Sequence, residues 1–252
     1  MMPNFRLGAL IDVILPPSCL FCGDDLHRGD LCGRCETLLG RSWPPLATPC
    51  RLCGLPRPIE PIQTAEQPCG SCPKNRFPFD CVIPLAVYQG AVREAVVASK
   101  RPEHAVLANS LGLRLADKVI EFGFGNAFDW VTFVPTHAIR RIVRGGPSGV
   151  QQIAAAVGKR LKTATTDLLE ATRWTGKQSL LPDESRPLNV RGAFRLKRCY
   201  VWESLPDLRD QHILLVDDVL TTGSTAAEAT RMLKEAGAAT VRLAVVARAV
   251  RR

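Results

Sequence analysis

The sequence predicts an α/β protein, a parallel sheet with flanking helices, preceded by a small four-cysteine metal-binding module. Three observations carry that prediction. Beyond Pro73, stretches that read as strands alternate with amphipathic helices, the pattern that gives a parallel sheet covered on both faces. An apolar run, "HILLVDDVLTTGSTAAEA" (His212 to Ala229), ends in two acids, a hydroxyl- and glycine-rich turn and a helix. Eight of the ten cysteines fall into four CxxC pairs before Pro73.

The cysteine module comes first in the chain. The pairs are Cys19/Cys22, Cys32/Cys35, Cys50/Cys53 and Cys69/Cys72; nine residues separate the first two pairs and fifteen the last two. A two-residue gap lets both thiolates reach one tetrahedral zinc ion at about 2.3 Å from each sulfur. Glycines in "CLFCG", "CGRC", "CRLCG" and "CGSC" suit tight knuckle turns. Disulfides would need an oxidising compartment, a thioredoxin-like site would need one CxxC beside a βαβ unit, and iron–sulfur ligation usually shows other spacings. Structural zinc, two ions, is the expectation. Sequential pairing is the simplest assignment, and pairing of the first with the third pair stays open. Zinc contributes about 10 to 16 kcal/mol of apparent binding energy in finger peptides, enough to hold a Pro-rich segment with few aliphatics. Cys81 and Cys199 sit in apolar or strand-like contexts and read as buried thiols.

Ahead of the cysteines, Phe5 to Leu15 reads as a short amphipathic helix. A signal peptide is disfavoured because Asp12 breaks the apolar core it would need and no small-residue cleavage site follows, and Pro16-Pro17 before Cys19 disfavours a lipoprotein signal. No stretch approaches the ~18 to 20 apolar residues of a membrane span. A cytoplasmic location is expected.

The second part contains "CVIPLAVY" (Cys81 to Tyr88) as a strand, then a helical stretch from Gly90. A helix follows over Ala105 to Phe122, with Leu107, Leu111, Leu115, Val119 and Phe122 near helical spacing. "WVTFVP" (Trp130 to Pro135) is a strand, Val150 to Leu161 a helix, and Leu168-Leu169 a short strand. "ILLVDD" and "VRLAVVAR" (Val241 to Arg248) complete the strands. The expected division is 1–78 for the N-terminal helix and double zinc-ribbon module, and 79–252 for the α/β domain.

The run Ile213 to Val216 is unbroken and apolar, as in a strand buried on both faces. Asp217 and Asp218 stand at its C-terminal end, where open α/β sheets place ligands. Thr221, Thr222, Gly223, Ser224 and Thr225 form a turn, and Thr225 to Ala236, rich in Ala, Glu, Met and Leu, reads as a helix, whose N-terminus favours anions. Gly223 lets the backbone approach, and the hydroxyls add donors. Together the parts describe a sugar-phosphate pocket. A Walker B strand would need an upstream GxxxxGK[ST] loop, which is absent. A receiver domain carries its acids near its start, whereas only 34 residues follow Asp218. An ordinary strand–turn–helix capped by Ser224 is the remaining alternative.

The stretch resembles the phosphoribosyl-pyrophosphate (PRPP) motif of type I phosphoribosyltransferases. With the four CxxC pairs, the chain resembles the ComF family of competence-associated, type I phosphoribosyltransferase-like proteins over nearly its whole length. "VPTH" (Val134 to His137) with Arg140, Arg141 and Arg144-Gly145 is similar to the family's "VPxHxxRxxxRGFNQ". "RWTGKQSLL" (Arg173 to Leu181) is similar to "RxTxxQxxL", and "RPLNVRGAF" (Arg186 to Phe194) to "RxxNVxGAF". Two departures stand out: Gly146-Pro147-Ser148 in place of Phe-Asn-Gln, and Lys100-Arg101-Pro102 in place of Lys-aromatic-Arg-Gly.

The resemblance implies a type I phosphoribosyltransferase-like fold and a PRPP pocket with magnesium. Asp217 and Asp218 would face the ribose hydroxyls as catalytic carboxylates. Val219, Leu220, Thr221, Thr222, Gly223, Ser224 and Thr225 would wrap the 5′-phosphate. Lys100, Arg101, Arg140 and Arg144 are candidates for pyrophosphate or DNA, and Arg173 and Gln178 are weaker ones. Three functions follow: a PRPP-binding transferase linked to DNA uptake, a non-catalytic zinc-ribbon protein that binds single-stranded DNA beside a relic pocket, or, if neither ligand binds, a pure zinc-stapled scaffold. The net charge of +9 favours acidic partners, while 6% aromatics leave few platforms for base stacking. The acceptor is not written in the sequence.

Overall fold

The structure, a computed structural model, describes residues 18–26, 30–40, 42, 47–58, 67–72, 77–135, 147–172, 192–197 and 205–250. The expected helix over Phe5 to Leu15, and Arg140, Arg144, Arg173, Gln178 and Cys199, lie outside the described residues.

The central sheet has five strands, all parallel, in the order β3-β9-β8-β4-β5. These are β3 (Cys81–Val87), β4 (Trp130–Phe133), β5 (Ala164–Thr165), β8 (His212–Leu220) and β9 (Thr240–Arg248). The central strands are apolar because both of their faces are buried. Leu214, Val216, Ala244 and Val246 point to one side, while Ile213, Leu215, Leu243 and Val245 point to the other. This is the period-2 alternation of a pleated strand, applied to two cores at once.

The first core is covered by α2 (Gly90–Ala98), α3 (Ala105–Glu121) and α4 (Gly149–Leu161). Leu111, Leu115, Val119, Ile153 and Val157 pack there, on the helical spacing expected for α3. The second core is covered by α5 (Ser224–Glu235) and by a two-stranded antiparallel sheet of β6 (Leu169–Ala171) and β7 (Phe194–Leu196). Leu168 and Leu169 therefore do not extend the parallel sheet. The short strand pairs with the end of "RPLNVRGAF", which sequence periodicity could not foresee across an intervening 22 residues (172–193).

The cysteine region contributes α1 (Gly33–Gly40) and an antiparallel ribbon of β1 (Ala47–Pro49) and β2 (Pro56–Pro58). It rests on the α/β domain. Arg114 of α3 donates to Asp30 at 2.9 Å and Glu36 at 2.8 Å, and Cys19, Leu31 and Cys35 join the first core. The second knuckle runs along edge strand β3, where Val82 donates its N–H to the Arg51 carbonyl at 2.7 Å. An exposed strand edge is thereby covered, as edges of buried sheets need to be.

Candidate functional site

Strand β8 continues through the acids to Leu220, longer than its apolar run. Asp217 and Asp218 are thus strand residues, and both are only partly covered. Their side chains begin where the apolar run ends, at the carboxyl end of the strand next to its neighbours β4 and β9. The Asp218 N–H donates to Asp217 Oδ1 at 2.8 Å. Lys100 Nζ lies 2.8 Å from Asp218 Oδ2. Burial and the neighbouring Asp218 charge push the Asp217 carboxyl up to about 8. Burial works against the Lys100 charge, but the attraction and hydrogen bond of Asp218, with Asp217 behind it, outweigh that and raise its pKa. Two carboxyls and one ammonium therefore share this strand end.

Lys100 reaches the acids because of a close backbone contact. A Cβ on Gly149, the first residue of α4, would collide with the Ser99 carbonyl and come 3.2 Å from Lys100 Cα. Glycine there lets the start of α4 press on the Ser99–Lys100 turn. Ser148 sits at the N-cap and accepts from the Gln151 N–H at 3.3 Å, so one residue of the Gly146-Pro147-Ser148 departure acts as a helix cap. Arg101 is exposed and precedes a short 3₁₀ turn over Pro102–His104.

The hydroxyl turn follows β8 directly. Gly223 has φ of 82° and caps α5, which begins at Ser224 rather than Thr225. Only glycine adopts that conformation without strain, and Phe77 packs where a side chain would go, 2.5 Å from an ideal Cβ. The Ser224 and Thr222 hydroxyls are 3.1 Å apart, and Thr221 is exposed. First-turn N–H groups of an α-helix have no intrahelical acceptor. Here they stand beside three hydroxyls and one turn from two carboxylates. Val219 packs on the first core, Leu220 is buried, and Thr225 lies in the first turn of α5.

Two buried residues that sequence reading missed secure this end of the sheet. Glu228 of α5 accepts from the Gly192 N–H at 2.6 Å and pairs with Arg231, tying "RGAF" to the helix that follows the turn. Arg248 closes β9 and donates to the carbonyls of Leu220 at 2.8 Å and Thr221 at 2.5 Å. An arginine directly after the apolar run Leu243 to Ala247 was the available signal.

The cysteines assemble sequentially. Cys19, Cys22, Cys32 and Cys35 form one group and Cys50, Cys53, Cys69 and Cys72 another, with the sulfurs of each within 4.8 Å of one another. The interleaved pairing is thereby removed. Sulfur separations of 3.7 Å (Cys22–Cys32, Cys50–Cys72) and 3.5 Å (Cys53–Cys69) are too long for disulfides. They are close to the ~3.8 Å edge of a tetrahedron whose centre is 2.3 Å from each sulfur. Among the cysteines, the hydrogen bond from Cys53 holds Cys50 down to about 4. At Cys19, burial is outweighed by backbone N–H groups led by Cys32, which bring it to about 6. The donor sets fit a tetrahedral thiophilic metal ion at each position. Cys81 is buried, and burial pushes its thiol up to about 11.

A cleft of about 290 Å³ lies between the β1–β2 ribbon and the C-terminal end of α3, lined by Arg51, Arg57, Lys118, Glu121 and Phe122 among others. Arg51 stands 5.4 Å over the Phe122 ring. Among the described residues, no helix is long and apolar enough to cross a membrane.

Comparison with known proteins agrees with this architecture. Residues 142–252 match the phosphoribosyl transferase domain family. DNA utilization protein YhgH of Shigella flexneri is 28% identical over 235 residues, 91% of this chain and 96% of its own. The protein of the same name from Escherichia coli strain K12 is 27% identical over the same shares. The chain resembles the ComF family over nearly its whole length, and residues 142–252 resemble a phosphoribosyl transferase domain. The ComF-like plan of paired four-cysteine groups before a type I phosphoribosyltransferase-like sheet is the one the motifs implied. Among solved structures, the allosteric regulatory enzyme of purine biosynthesis aligns with 55% of the ComF-like chain and 25% of its own, at 23% identity and a TM-score of 0.35.

Proposed function

We propose that the strand end at Asp217 and Asp218 binds PRPP or a related ribose 5-phosphate with magnesium, in a protein that serves DNA uptake or use. The observation that carries this reading is the placement of two adjacent carboxylates one turn from the glycine-capped start of α5. The carboxylates suit the ribose hydroxyls. Thr221, Thr222, Ser224, Thr225 and the first-turn N–H groups suit the 5′-phosphate, where donors and the helix dipole favour an anion. Lys100, with Arg101 nearby, suits the pyrophosphate, and Arg140 and Arg144 remain candidates on sequence alone. Magnesium, when bound, supplies positive charge to the pyrophosphate. The two cysteine groups are read as zinc sites that keep 1–78 folded against 79–252.

Lys100 then has two partners in turn. Without ligand its ammonium neutralises Asp218, as a divalent ion would. With PRPP present, it would exchange that carboxylate for the pyrophosphate. Transfer would break the bond from ribose C1 to pyrophosphate oxygen and make one to an acceptor, through a cationic transition state stabilised by positioning and electrostatics. The DNA link comes from the relatives, which are named DNA utilization proteins across nearly the whole length of this chain.

A second reading is favoured by the cleft at the ribbon. Arg51, Arg57 and Lys118 against Glu121 give it a positive balance, which fits phosphates of single-stranded DNA without any transfer reaction.

Isothermal titration of zinc-loaded protein with PRPP and magnesium separates the two. Binding that is lost in Asp217→Asn/Asp218→Asn supports the pocket. No binding to the wild type, together with salt-sensitive binding of single-stranded DNA that Arg51→Ala/Arg57→Ala abolishes, supports the second reading instead.

A further inference from the structure

The second four-cysteine group is joined to the phosphate turn by one side chain. Arg248 is 5% exposed, at the end of β9. Its Nε donates to the carbonyl of Cys53, a member of that group, at 2.8 Å. Its Nη1 donates to the carbonyls of Leu220 at 2.8 Å, Thr221 at 2.5 Å and Ala249 at 2.9 Å. The planar guanidinium therefore bridges the knuckle to the backbone from which the turn springs, with a rigid fork that an ammonium cannot copy. A second contact comes from the same side. Phe77, five residues after Cys72, lies against Gly223 and stacks on Phe79 with ring centres 4.6 Å apart. The described contacts of the first group run elsewhere, to α3 through Arg114.

We propose that Arg248 is a positioning residue that makes the order of the phosphate turn depend on metal at Cys50, Cys53, Cys69 and Cys72, and not on metal at the first group. A metal ion fixes the Cys50–Cys53 knuckle and hence the direction of the Cys53 carbonyl. With that carbonyl held, the guanidinium is held, and with it the Leu220 and Thr221 carbonyls. Loss of the ion releases the Cys53 end of the fork, and with it the Leu220 and Thr221 carbonyls that the guanidinium holds. The effect on turn order stands on these contacts alone, and its effect on PRPP affinity rests on the function proposed above.

Hydrogen–deuterium exchange on the full zinc-loaded chain tests it, with zinc content measured for each variant. Exchange at Ala227 and Ala249, whose N–H groups donate to the Gly223 and Leu220 carbonyls of the turn, should rise at least about tenfold, the scale of one or two lost hydrogen bonds, in Cys69→Ser/Cys72→Ser and in Arg248→Lys. It should stay at the wild-type rate in Cys22→Ser. Protection of Ile213 to Val216 should hold throughout. In Arg248→Lys, adding Cys69→Ser/Cys72→Ser should raise exchange of the turn no further, because the coupling is already cut; a residue that merely stabilises the fold would leave the two effects additive. Unchanged exchange at Ala227 and Ala249 in Arg248→Lys with both metals retained overturns the proposal, as does an equal response to Cys22→Ser. If the second-group variant loses protection in β8 as well, Arg248→Lys alone decides. Titration with PRPP and magnesium separates the two ideas: a metal-sensitive turn in a protein that binds no PRPP upholds the coupling and rejects the pocket.

Discussion

At the scale of single residues, the strand end is a balance among Asp217, Asp218 and Lys100. The ion pair Lys100–Asp218 is partly exposed, so its removal should cost little stability, under about 1 kcal/mol. Its effect on ion binding should be larger. Lys100→Ala removes the cation that competes for Asp218, and manganese or magnesium alone should bind more tightly to this variant than to the wild type. Electron paramagnetic resonance with Mn²⁺ measures this, and weaker binding in the variant would count against Lys100 as the competing cation. Asp217 makes a second prediction. Its folded pKa of about 8 lies above the ordinary carboxyl value of about 4, so the folded state holds a proton that the unfolded state releases. The Asp217 contribution is fully present below about pH 4 and is lost as pH rises to about 8. Melting temperature without ligand should therefore fall across that window more steeply in the wild type than in Asp217→Asn. Equal slopes would mean that the carboxyl is not held protonated. Both acids were legible in the sequence, because an apolar run ending in paired carboxylates is a local pattern. Lys100 was legible only as a candidate, since its contact with Asp218 joins positions 118 residues apart.

At the scale of elements, the long periodic helices and the buried strands lay where their patterns placed them. Periodicity is set by which faces are buried, and α3, α4, β8 and β9 bury theirs over nine residues or more. The short elements were less visible. β5, β6 and β7 have two or three residues each, too few to show a period, and their pairing partners are distant in sequence. The start of α5 moved to Ser224 because Gly223, in the left-handed region, serves as the N-cap. Gly149 shows how an element boundary fixes a site. Gly149→Ala should destabilise the protein by about 1 to 3 kcal/mol, as overpacking does, by driving the start of α4 away from Ser99. Because Lys100 adjoins that contact, the variant should also bind PRPP more weakly than its loss of stability explains. Denaturant melts and titration of the same sample measure the two effects, and unchanged affinity would detach α4 from the pocket.

At the scale of the whole molecule, the cysteine region and the sheet hold each other. The cysteine region shares the first core through Cys19, Leu31 and Cys35, and its second knuckle covers the β3 edge. Stripping metal with a strong chelator should lower the melting temperature by several degrees and expose the β3 edge to pairing, seen as concentration-dependent aggregation. Metal readdition before aggregation should restore the wild-type melt, since binding energy at such sites is folding energy. A stripped protein that melts as before would show that the α/β domain supports the module and gains nothing from it.

The sequence by itself determined the class of fold, the existence of two four-cysteine groups and the strand–turn–helix around Asp217 and Asp218. Each is a local matter of spacing and burial period. Only the tertiary structure decided which cysteine pairs meet, that Lys100 faces Asp218, that β6 leaves the parallel sheet, and that Arg248 joins the Cys53 knuckle to the turn after β8. Those facts depend on backbone approaches and hydrogen bonds between segments up to 195 residues apart, and no short window of sequence contains both partners.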